Sequence, residues 1–123
     1  MEFREFEDQI FKIDRAIHRE FFQNPPIKVA GRATSTNDLR AIVRRAAEEL
    51  VLCADIDEGI RRLRRDPDAW SGIIALTVEA PLARDHHRSA ARRAFEATPG
   101  EPNALPFYPY CSYLLELCSE LDC

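Results

Sequence analysis

Apolar residues near the start of the chain recur at helical spacing. Phe3, Phe6, Ile10, Ile13, Ile17 and Phe21 are separated by 3, 4, 3, 4 and 4 positions. At roughly 100° per residue they fall within an arc of about 80°. This predicts a helix over 3–22, stopped by Asn24-Pro25-Pro26, because proline lacks the amide hydrogen and restricts the residue before it. A second row, Phe11, His18 and Phe22, lies about 100° round from the first, with Glu7 and Asp14 between the two. A single core stripe would not carry carboxylates along its middle. Either the helix is central and its carboxylates are ion-paired or reach solvent, or the first row packs inside and the second meets a partner or a second copy of the chain. Aromatic enrichment at interface centres makes Phe11, His18 and Phe22 candidate contact residues.

The pattern continues through several more helices. Ser35, followed three positions later by Asp38, resembles a capping box. Leu39, Ile42, Val43, Ala46, Ala47, Leu50, Cys53 and Ala54 then share one face, with Cys53 read as a core thiol. Residues 55–68 read as a short helix or an extension of the second, with Asp57 and Glu58 at its start and four arginines at its end, the order that complements a helix dipole. Asp66-Pro67 reads as a cap and first-turn proline for the next element. Residues 72–78 have the β-branched density of a strand, but their start signals favour a buried helix. A fifth helix opening at Pro81 has a small inner face of Leu82, Ala83, Ala90, Ala94 and Ala97. After a proline-rich break, Tyr110, Tyr113, Leu114, Leu117, Cys118 and Leu121 form the face of a last helix. The expected fold is all-α: one domain over 1–123, a compact bundle of five to six helices. The alternative adds a minor two-stranded sheet from 27–30 and 72–78. Asp-Pro-Asp-Ala-Trp (66–70) and Glu-Pro-Asn-Ala-Leu (101–105) are similar and 35 positions apart, near the period of helical repeats. The rest of such a repeat does not align, so they read as two helix-entry signals.

Charge sharpens this outline. The chain of 123 residues has a net charge of −4, and the last basic residue is Arg93. Residues 94–123 carry Glu96, Glu101, Glu116, Glu120 and Asp122 with nothing basic: an acidic C-terminal segment. Arg84, Arg88 and Arg92 form a basic stripe at i, i+4 and i+8, beside Phe95, which is one way to track phosphate. The first 93 residues are nearly charge-balanced, which favours ion-paired arginines over direct nucleic-acid binding. The acidic helix lying against an arginine row is the intramolecular version of the same idea. No apolar run approaches the ~20 residues of a membrane span, and the acidic N-terminus reads as neither a secretory nor a transit signal, so a cytoplasmic protein is expected. Its four cysteines are then expected to be reduced. Cys111 and Cys118 would sit about 10 Å apart along one helix, beyond disulfide reach.

No motif points to chemistry. HExxH, CxxC, GxSxG, a P-loop and GxGxxG are all missing from the sequence. His86 and His87 are adjacent and diverge by about 100° on a helix, so they do not chelate one ion. No metal or cofactor is expected. The leading expectation is a small cytoplasmic protein-binding module of the inhibitor, immunity or anti-defence type, bacterial or phage in character. It would cover a basic partner such as a nuclease or other nucleic-acid-handling protein. Glu116 and Glu120 would steer association, and Phe11, Phe22, Phe107, Tyr108 and Tyr110 would serve as anchors. A helical enzyme or ligand-binding bundle using His86, His87 and a cysteine is the runner-up, and arginine-mediated nucleic-acid binding the third reading.

Overall fold

A computed structural model describes residues 2–26, 35–80, 82–97 and 106–122. Among the described residues six α-helices follow one another: α1 (Phe3–Gln23), α2 (Thr36–Leu50), α3 (Ile56–Arg65), α4 (Pro67–Ile74), α5 (Arg84–Ala97) and α6 (Tyr108–Cys118). There is no strand among the described residues, and the fold is a compact helical one. Residues 72–78, for which a strand was the alternative, run through the end of α4 into a wider π-type turn, Ala75–Glu79. The other proposed strand, 27–30, lies outside the described residues, as do Pro81, Glu101 and Cys123 and the 101–105 half of the repeat-like pair.

Side-chain caps set the starts of α2, α3 and α4. The Ser35 hydroxyl accepts from the Asp38 amide at 3.1 Å. Asp55 accepts from the Glu58 amide at 2.8 Å, and Glu58 reaches back to the Ala54 amide at 2.8 Å, so two otherwise orphaned donors are satisfied around one turn. Asp66 caps α4 through the Ala69 amide at 3.3 Å, ahead of Pro67 in the first turn. The same carboxylate takes both ends of the Arg45 guanidinium at 3.1 Å, tying α4 to α2.

The buried residues form one cluster with α6 at its centre, in contact with α5, α2 and α1. The first row of α1 is core as its spacing predicts: Phe6, Ile10, Ile13 and Ile17 are buried, and Phe3 and Phe21 pack at the margins. Phe21 meets Trp70 edge to face, and the Arg64 guanidinium lies over the same indole. Ala90, Ala91 and Ala94 let α5 approach α6 closely; Ala83 and Ala97, expected on that inner face, are exposed. Two glycines mark contacts with no room for a methyl group. A Cβ on Gly59 would sit 2.5 Å from Cζ of Phe107, and one on Gly72 would overlap Cγ2 of Ile42, which is how α4 comes close against α2.

The anchors expected near the last proline-rich break need correction. Phe107 and Tyr110 are fully buried. They belong to the centre of the bundle, because α6 is surrounded on three sides. Tyr108, on the flank of α6, is half-buried.

Candidate functional site

Two of the three residues in the second row of α1, Phe11 and His18, pack against the bundle. Phe11 packs edge-on against Tyr113 at 5.6 Å. Asp14 is buried and accepts the Tyr110 hydroxyl proton at 2.8 Å. This explains a carboxylate between two apolar rows: the partner it serves comes from α6. His18 Nε2 lies 2.8 Å from Thr77 Oγ1 and 3.3 Å from the Asp14 carboxylate. Thr77 already gives its own proton to the Ile73 carbonyl at 2.7 Å, so Nε2 of His18 must carry the hydrogen. Across the same core, His87 Nδ1 pairs with the Tyr113 hydroxyl at 2.8 Å. Of the three residues in that row, Phe22 alone is mainly exposed, resting edge-on against Phe21.

This network is built for holding helices together. A histidine activating a threonine must receive the hydroxyl proton, whereas here the proton of Thr77 is committed to a backbone carbonyl. Burial, and secondarily the nearby Asp14 carboxylate, raise Tyr110 well above its ordinary range. Burial followed by Asp14 does the same to Tyr113. Both phenols therefore stay protonated, and Tyr110 donates to Asp14. Burial lowers His87, opposed by Asp14 and reinforced by His86 and His18, so its ring is neutral near pH 7.

Among the described residues no hydrogen bond joins His86 or His87 to a cysteine. The thiols of Cys53 and Cys111 bond to Glu49 and Ala47 carbonyls of α2, at 3.7 and 3.3 Å. Tyr113, the partner of His87, leaves α6 about 200° round from Cys111. His86 serves locally, its Nδ1 accepting from the Ala83 amide at 2.9 Å. The three described cysteines are free and buried. Burial pushes Cys111 up to about 12, with Cys53 adding to the rise, and pushes Cys118 up to about 11 against the lowering pull of Arg40 and Arg44. Neither thiol is a ready nucleophile. Among the described residues no group of three or more His, Cys, Asp or Glu side chains is placed to hold a metal ion.

Two carboxylates of the acidic segment, Glu116 and Glu120, are turned towards α5. Arg93 of α5 bonds to the Glu116 carboxylate at 3.2 Å and to its carbonyl at 3.1 Å, and reaches Glu120 at 2.6 Å. The carboxylates expected to steer a partner thus clamp α6 and the 3₁₀ turn Ser119–Asp122 to α5. In the basic stripe, Arg84 and Arg88 are exposed. Arg92 stacks over Phe3 at 4.7 Å and lies near Phe95 at 5.9 Å, and its Nε is 3.8 Å from Glu96.

A groove of about 630 Å³ lies open between α2 and α6. Arg40 Nε donates to the Cys118 carbonyl at 3.4 Å, while Ala47 pairs with Cys111. Ascending positions on one helix meet descending positions on the other, so the two run antiparallel. Ala47, Val51, Cys111, Leu115 and Cys118 supply apolar lining, with Tyr108 at one end. Arg40, Arg44 and Glu48 border it on α2; Ser112 of α6 and Ser119 just after α6 border it on the other side. Leu115 is 43% exposed. Of this lining, sequence reasoning singled out only Tyr108 as a contact residue. The available signal was Leu115 itself, an apolar residue outside the arc that buries Tyr110, Tyr113, Leu114 and Leu117. No protein family, curated protein or solved structure matches this chain. No helix among the described residues is long and apolar enough to cross a membrane.

Proposed function

We propose that this protein is a non-enzymatic protein-binding module, acting in the cytoplasm, whose docking surface is the α2–α6 groove. The observation that carries the reading is the apolar strip left open between two packed helices, with Leu115 and Val51 presented along it. An apolar floor with a polar rim is the anatomy of a helix- or peptide-binding groove. Three buried free thiols accord with a reducing compartment. The inhibitor or immunity type of role, in which a small protein works by covering a partner, belongs to this proposal. Its expected charge logic changes, because Glu116 and Glu120 are engaged by Arg93 and the groove border carries two arginines.

The test is quantitative enrichment of binding partners from the native cell by the wild type, by Leu115→Asp and by Arg84→Asp. All three are first shown to be folded by circular dichroism. The proposal expects a partner retained by the wild type and by Arg84→Asp and lost with Leu115→Asp. Partners that bind all three equally, or none at all, would refute it.

A further inference from the structure

The groove is graded in charge along its length. From Arg40 to Val51 it spans eleven positions along α2 and its C-cap, and from Tyr108 to Ser119 the same number along α6 and its C-cap, or about 16 Å at ~1.5 Å per residue. Because the helices are antiparallel, Arg40 and Arg44 stand at the Cys118 end, while Glu48 and Val51 stand towards Tyr108. Arg40 Nε donates to the Cys118 carbonyl, which places it at that end, and Arg44 follows one turn along the same border of the groove. Arg44 is exposed and forms no ion pair among the described residues. Arg40 is engaged through Nε with the Cys118 carbonyl and through Nη1 with the Asn37 side chain.

Resting on the docking reading above, we infer that the groove takes an amphipathic partner helix of about three turns, with carboxylates gathered in its last turn. That last turn lies at Arg40 and Arg44. The occupant therefore runs parallel to α6 and antiparallel to α2. Three features of the groove select this occupant. Its length matches three turns of helix. Its apolar floor fits a side-chain stripe at i, i+3 or i+4, and i+7. Its positive end attracts both acidic side chains and the partial negative charge at a helix C-terminus, while Glu48 faces the positive N-terminal end. Reversing the helix would place like charges together at both ends.

The probes are two fluorescein-labelled, hydrocarbon-stapled three-turn helices of identical composition. Both carry a leucine stripe; the glutamates stand in the last turn of one and the first turn of the other. Fluorescence anisotropy with the full chain at low salt is expected to show about tenfold tighter binding of the last-turn isomer, the sum of a few charge–charge and charge–dipole contributions. Arg44→Glu, at an exposed position, should remove or invert that preference. Arg40→Gln should narrow it. Equal binding of the two isomers, preference for the first-turn isomer, or binding of neither overturns the inference. So does a wild-type protein that sediments as a dimer dissociated by Leu115→Asp, since a second copy then fills the groove. Leu115→Asp separates the two claims. If the isomers bind equally and both are lost with this variant, the groove stands as the docking site and the orientation falls. If both still bind, the docking reading falls with it.

Discussion

Removing the Tyr110 hydroxyl isolates the interaction that explains the charge inside α1. In Tyr110→Phe the ring and its packing stay, but Asp14 loses the donor 2.8 Å away. A hydrogen bond to a charged group contributes about 1.5–3 kcal/mol, and a buried acceptor left without its donor sits within that range. We take about 2 kcal/mol. For a chain of 123 residues, an unfolding entropy of about 2.1 cal/mol/K per residue gives about 260 cal/mol/K, so Tm should fall by about 8 °C. Trp70 is the only tryptophan and is fully buried, which suits urea unfolding followed by its fluorescence at pH 7.5. Asp14→Leu alone should also destabilise, because it strands the Tyr110 hydroxyl. The double variant Asp14→Leu/Tyr110→Phe should recover about 1–2 kcal/mol relative to the sum of the singles. A Tyr110→Phe protein within about 0.5 kcal/mol of the wild type, or a strictly additive double variant, would refute the reasoning.

Two further predictions concern pH and packing. Burial lowers His87 below its ordinary value of 6.5, so the unfolded chain takes up this proton first as pH falls. Stability linked to His87 is therefore complete above about pH 6.5 and is lost on acidification towards the lowered folded value; His87→Gln should flatten the denaturation midpoint against pH over that window, and an unchanged slope would contradict the account. Gly72→Ala should destabilise by about 1–3 kcal/mol through overlap with Ile42, despite the better helix propensity of alanine, and adding Ile42→Ala should remove most of the overlap penalty, as read by a double-mutant cycle in urea.

The helices were legible where neighbours in sequence decide them. The capping Ser35 and Asp66, the stop at Asn24 and the 3–4 spacing of the first α1 row all act within a few residues. The destination of the second row was not legible, because the groups that draw Asp14 and His18 inward are Tyr110, 96 positions away, and Thr77, 59 positions away. The same limit applied to Phe107 and Tyr110. Aromatics beside prolines resemble surface anchors until three helices are seen to enclose α6. Glu116 and Glu120 form part of an acidic segment in the sequence, yet Arg93 meets both in space. The groove had no local signature, since it exists only because α2 and α6 pack antiparallel. Leu115 was its one visible trace.

The central claim is that the surface around Leu115 touches another polypeptide. Benzoylphenylalanine placed at position 115 in the native cell, with position 84 on α5 as the control, tests this directly on irradiation. The account predicts a covalent adduct with a different polypeptide from position 115 and none from position 84. No adduct at 115, equal adducts from both positions, or an adduct made solely of two copies of this chain would contradict it.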